Sequence, residues 1–122
     1  MKKALTGARI FSGKNFVDNK ALLFENENII QLVDETEIPQ DFITQNLNGG
    51  ILSPGFIDLQ VNGGGGKLFN NSPDKESLNT IINAHQYFGT TSIMPTVISD
   101  SLNVLQDCTY TVSKEIKNNK SL

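Results

Sequence analysis

Asp58, Gln60 and Asn62 recur at every second position, and residues 63–66, all glycine, follow at once. On a strand, two-residue spacing puts side chains on one face. Phe56, Asp58, Gln60 and Asn62 are therefore predicted on one side, and Ile57, Leu59 and Val61 on the other. Two amides offer donors and acceptors to a polar ligand. They are weak metal ligands beside imidazole or carboxylate. From spacing alone, the simpler reading is that both amides satisfy backbone groups at a strand end. Asp58 is expected deeper on the same face, as a structural brace, because a buried carboxylate must be paired. The four glycines allow close backbone approach or positive φ and are expected to form a flexible loop. Lys67 after them suggests a phosphate-binding loop, but that pattern needs Gly at position 61 and Ser or Thr at 68. Val61 and Leu68 stand there.

The elements that would hold these groups follow from local patterns. Pro54-Gly55 is a turn signal, and residues 56–61 read as a buried strand. A first helix is expected from Pro73 or Asp74 to Phe88, with Ser72 as N-cap and Pro73 at the first helical position. Leu78, Ile81, Ile82 and Phe88 form its apolar stripe, and Gly89 stops it. Residues 90–98 are rich in β-branched side chains and read as a second buried strand. Pro95 should lie near its end or at a bulge. Ser99 or Asp100 is expected to cap a last helix with Leu105, Cys108, Val112 and Ile116 along one face. Residues 117–122 are polar and should fray. Upstream, residues 1–53 read as short strands and turns. They include 8–11, a hairpin of 20–24 with 29–33 around a 25–28 loop, a connection at 37–41 and an extended piece at 45–52. A strand that delivers polar side chains to its C-terminal end, beside a glycine loop, is how α/β barrels build active sites.

Composition narrows the function classes. A net charge of −3 gives no electrostatic case for nucleic acid or an anionic membrane. No apolar run nears the roughly 20 residues of a membrane span. The basic start lacks an apolar segment after it, so no secretory signal is expected. Cys108 is the only cysteine, so a reducing cytoplasm is the natural setting. His85 is the only histidine, and a lone helical His is more often packed or at the surface than a ligand.

The run Ser53-Pro-Gly-Phe-Ile-Asp58, followed by Leu-Gln-Val-Asn-Gly63, resembles the first barrel strand of the amidohydrolase superfamily. Most members carry His-x-His where this chain has Gln60 and Asn62. That replacement is similar to one branch, the N-acetylglucosamine-6-phosphate deacetylases. Leu47-Asn-Gly-Gly-Ile-Leu-Ser-Pro54 and Pro95-Thr96 fit the same branch. The branch often has Cys within the glycine run, and here all four are Gly.

The resemblance implies an α/β chain. Residues 1–53 would be the N-terminal part of a small β-sandwich. Residues 54–122 would be the first two βα units of an incomplete TIM-type barrel. It implies metal-dependent hydrolysis of an amino-sugar phosphate acetamide to glucosamine 6-phosphate and acetate. It also implies site-lining roles for Gln60, Asn62, Gly63 and Gly64, and structural roles for Asp58, Pro54 and Gly55. The family's divalent metal, zinc, is held by a Glu and two His, and a later Asp is catalytic. None of these has a counterpart among the 122 residues, so neither a catalytic residue nor a bound metal is expected in this chain alone. A complete (β/α)8 barrel takes about 200 residues or more. The chain therefore reads as an inactive N-terminal fragment. The alternative is a non-catalytic association module that self-associates or complements a separate C-terminal piece.

Overall fold

Ala4 and Thr6, with Ala21 and Leu23, are the buried positions of the first sheet. Their two-residue spacing is that of strands with one covered face. The computed structural model describes residues 1–122. The chain is mixed α/β, mostly strands with two helices, and divides into two units, Met1–Pro54 and Gly55–Leu122.

The first unit holds β1 (Lys2–Thr6), β2 (Arg9–Phe11), β3 (Phe16–Val17), β4 (Lys20–Glu25), β5 (Asn28–Asp34), β6 (Ile43–Asn46) and β7 (Ile51–Leu52). One sheet runs β5-β4-β1-β6 and the other β3-β2-β7. The β1–β6 and β2–β7 pairs are parallel and the rest antiparallel. The β4–β5 hairpin forms where the sequence indicated it. Asn26 turns it at φ 56°, a conformation Asn tolerates. The expected extended piece at 45–52 is instead two strands in different sheets. Asn48, Gly49 and Gly50 all take positive φ and break it.

The second unit holds β8 (Phe56–Val61), β9 (Gly63–Gly64), β10 (Lys67–Leu68), α1 (Lys75–Gln86), β11 (Thr90–Pro95) and α2 (Leu102–Glu115). β8 and β11 pair in parallel, which requires a crossover, here α1. Val61, Phe69, Leu78, Ile81, Ile82, Ile93 and Cys108 form the buried cluster, with Val104 and Val112 packed against it.

Several expectations change here. The N-cap of α1 is Asp74, whose carboxylate accepts the Ser77 N–H at 2.8 Å. An anion suits the positive end of a helix, and Pro73 falls before the cap. Phe88 lies past the helix end, exposed and edge-on to Tyr87. Gly89 at φ 92° ends the turn as expected. α2 is capped by Ser101, while Asp100 accepts the Ser101 N–H at 2.7 Å. Ile116 at the end of the predicted stripe is exposed. Pro95 is the last residue of β11, where its missing N–H costs no ladder bond. Residues 117–122 do not fray. The Ile93 N–H donates to the Ser121 carbonyl at 2.8 Å, and Leu122 packs on the cluster. The tail is held because β11 has an edge that β8 does not use.

Candidate functional site

The C-terminal ends of β8 and β11 gather most of the polar groups singled out from the sequence. Their arrangement differs from simple alternation because the pair is irregular. Asp58 lies opposite Ile93 and Val61 opposite Pro95. Three steps along β8 thus match two along β11, which makes a bulge at Leu59 and Gln60. Val61, not Gln60, follows Asp58 on the side of the buried cluster. Gln60 and Leu59 are both exposed.

Asp58 therefore does not share a face with Gln60, as expected from alternation. It is half-buried and turned toward α1, with Oδ2 3.8 Å from Nδ1 of His85. Its Oδ1 accepts the Gln60 N–H at 3.1 Å, an Asx-type bond that fastens the bulge. Neither is β8 the buried strand that its apolar run suggested. Phe56, Ile57 and Leu59 are each about two-thirds exposed, at 66%, 68% and 67%. Phe56 and Ile57 are consecutive and face opposite sides, so the start of β8 is open on both faces, while Ile57 and Leu59 leave the side away from α1 bare within this unit.

Asn62 is half-buried, and its amide donates to the Thr96 carbonyl at 2.9 Å. The Thr96 N–H returns a bond to the Val61 carbonyl at 2.8 Å. The two strand ends are thereby tied together. Gln60 has its side chain at the surface. Gly55 enters β8 against the Thr91 side chain, and Pro54 closes the preceding unit.

The glycine run is not a loose loop. Gly63 and Gly64 pair antiparallel with Leu68 and Lys67. Gly65 and Gly66, at φ 59° and 80°, form the two-residue turn between them. Positive φ at both central positions is the geometry that favours glycine in tight hairpins.

Two contributors were missed in the sequence. His85, read as a packed or surface residue, places Nε2 3.0 Å from the Gly63 carbonyl. Asn70 is almost fully buried. Its amide donates to the Ile98 carbonyl at 3.0 Å and to Asp100 at 3.2 Å, and its carbonyl accepts the Ile98 N–H at 3.1 Å. It fastens the turn after β10 to the segment after β11. A buried Asn after an aromatic residue carries no periodic signal, so no pattern marked it. The Ser101 N–H, then the Asn70 amide, hold the Asp100 carboxyl below the usual carboxylate range.

The donor set does not suit a metal ion. No three His, Cys, Asp or Glu side chains cluster. The Asn62 amide is engaged with Thr96 and the His85 ring with Gly63. Cys108 is buried, and burial pushes its thiol above the ordinary value. What the strand ends can do is hydrogen-bond and shape a surface.

Comparison with known proteins places this arrangement. Residues 4–52 match the family described as the NagA composite domain. An N-acetylgalactosamine-6-phosphate deacetylase from Shewanella sp. (strain ANA-3) is 38% identical over 112 residues, covering 90% of this chain and 28% of the relative. An N-acetylglucosamine-6-phosphate deacetylase from Haemophilus influenzae is 33% identical over 99 residues, covering 81% and 26%. The crystal structure of N-acetylglucosamine-6-phosphate deacetylase from Pasteurella multocida matches 98% of this chain and 32% of its own at a TM-score of 0.91 and 28% identity. The chain spans about a quarter of the length of these curated relatives. The resemblance read from residues 53–63 is thus shown, and it extends over nearly the whole chain.

Proposed function

We propose that this chain, a relative of the amino-sugar-phosphate deacetylases, supplies the N-terminal part of such an enzyme. The intact enzyme would hydrolyse the acetamide of an N-acetylhexosamine 6-phosphate to the free amine and acetate. The observation that carries the proposal is the match to the Pasteurella multocida enzyme over 98% of the chain. Its β8 bears amides at 60 and 62, in the register where most amidohydrolases bear histidines. The relatives' names include both gluco and galacto substrates, so the shared chemistry is the 2-acetamido sugar phosphate.

On this reading, residues 1–53 form part of a small β-sandwich and residues 54–122 the first two βα units of a TIM-type barrel. An apolar cavity between Ile10, Leu22, Ile29, Leu32 and Leu52 in the first unit is consistent with a sandwich lacking strands. Gln60 lines the substrate pocket, with Asn62, Gly63 and Gly64 shaping its wall. Asn62 does so while holding Thr96. A divalent metal would activate water in the whole enzyme. The side chains of this chain do not fit it, so the metal ligands and catalytic Asp would come from elsewhere. The lone buried Cys108 favours a reducing cytoplasm as its setting. No helix is long and apolar enough to cross a membrane.

The test is complementation. The chain is co-expressed with the remaining segment of a relative, and acetate release from N-acetylglucosamine 6-phosphate is measured. Turnover is expected with both pieces and absent with the chain alone. Turnover and stoichiometric zinc in the isolated chain would overturn the fragment reading, and no turnover from a well-formed complex would overturn the deacetylase reading. The bare apolar strand faces favour a second reading, a non-catalytic module that self-associates. A stable monomer by light scattering would exclude it.

A further inference from the structure

We infer that His85 is a positioning residue that holds the glycine hairpin over the end of β8. The inference deepens the deacetylase reading, and rests on it for placing that strand end at the substrate.

The Phe69 N–H donates to the Asn62 carbonyl at 2.9 Å, and Gly63 and Gly64 lie opposite Leu68 and Lys67. In an antiparallel pair, hydrogen-bonded and non-hydrogen-bonded positions alternate. Asn62 with Phe69 is a bonded position, so Gly63 with Leu68 is not. The Gly63 carbonyl therefore points out of the ladder and needs another donor. His85, reaching across from α1, supplies it through Nε2 at 3.0 Å. A carbonyl only accepts, so Nε2 must carry the proton. The opposite ring nitrogen faces the Asp58 carboxylate at 3.8 Å. Asp58 also fastens the bulge that turns Gln60 outward. The bulge and the hairpin thus meet at one imidazole ring.

Gly64 is fitted to the same ring. A Cβ there would stand 3.1 Å from Cδ2 and Nε2 of His85, closer than side chains normally sit. Gly64 is not at positive φ. Replacing it by Ala therefore adds no backbone strain and acts by displacing the ring.

The test is amide hydrogen exchange, followed by NMR on the 122-residue chain. His85→Leu and Gly64→Ala should speed exchange at Lys67 and Phe69 roughly tenfold, the effect of losing one hydrogen bond, with Leu78 in α1 little changed. His85→Gln keeps an N–H at similar reach and should stay near the parent. If His85→Gln behaves like His85→Leu, if Leu78 accelerates equally, or if no variant changes the hairpin, His85 is only a packing residue and the inference fails. The readout needs no turnover, so its failure and that of the deacetylase reading are separable.

Discussion

Asn70→Ala should destabilise the second unit by about 2 kcal/mol, the worth of two neutral hydrogen bonds at about 1 kcal/mol each. Asn70 makes three bonds, of which two enter this figure. Two go to the backbone of Ile98, one in each direction, at 3.0 and 3.1 Å. Truncation leaves both Ile98 groups without their partner. Ile98 is about half exposed, at 49%, so water can reach part of it. That keeps the cost well below the full penalty of two stranded buried groups. The third bond, to Asp100, is left out of the sum because that carboxylate is at the surface. The assay is urea denaturation followed by the helical circular dichroism signal, with the slope unchanged and the midpoint lowered. Asn70→Asp sharpens it. The new carboxylate can accept the Ile98 N–H but cannot donate to Ile98 or Asp100, and it faces Asp100 at close range. Repulsion raises its folded pKa above the unfolded value. Its penalty should therefore be largest near neutral pH and relax as the pH falls through that raised value. A loss of less than about 0.5 kcal/mol for Asn70→Ala, the range of ordinary surface changes, would show that Asn70 does not hold the two segments together.

The Ser77 N–H, bound to the Asp74 carboxylate, lowers that group's pKa from its ordinary 3.8. A depressed folded pKa contributes stability above the unfolded value, and the contribution is lost as pH falls through the folded one. Amide exchange at Ser77 should therefore accelerate as the pH drops below about 4, once intrinsic exchange is divided out. In Asp74→Ala it should be fast at every pH; a parent chain that shows no such change contradicts the cap. Cys108 is buried, and its thiol is pushed upward by that burial. The thiolate is the reactive form, so a maleimide should label it slowly in the native chain and fully in urea. Rapid native labelling would show that α2 does not stay seated on Phe69.

Patterns with a period were legible and singular contacts were not. The 3.6-residue spacing of Leu78, Ile81 and Ile82 located α1 and its buried face. The β4–β5 hairpin followed from two apolar runs around a polar loop. Caps slipped by one or two residues because Ser72, Asp74, Ser99, Asp100 and Ser101 are all competent acceptors, and only the path of the chain selects among them. β1 was not singled out because Lys2 and Lys3 at its start hide a short strand whose covered positions are Ala4 and Thr6. The largest discrepancy lay in the candidate site. Alternation assigned Asp58 to the face of Gln60, and one extra residue in β8 moved it to the side of α1. A bulge leaves no mark in composition. Asp58 itself was the available hint, because an Asp two residues before an exposed amide can bond that residue's N–H. The resemblance to deacetylases was legible because it rested on the order of residues 53–63, which no bulge disturbs.

The bare side of the β8–β11 pair bears directly on that site. Parallel strands are normally covered on both faces. Here Ile57, Leu59 and Met94 are all more than half exposed. Burying three such side chains would contribute roughly 4.5–9 kcal/mol at about 1.5–3 kcal/mol each. That is comparable with the whole net stability of a domain, about 5–15 kcal/mol. A surface of this value is dominated by whatever can cover it. Gln60 stands beside Leu59 at the bulge, so a cover placed there encloses its amide. A buried amide without partners is costly. Indiscriminate apolar contact would gain area and strand Gln60. A cover that supplies hydrogen bonds to Gln60 gains the area without that penalty. The exposed amide would thus penalise non-specific collapse onto this strand end. On the proposed reading, a polar occupant such as a sugar phosphate would meet that requirement at this strand end.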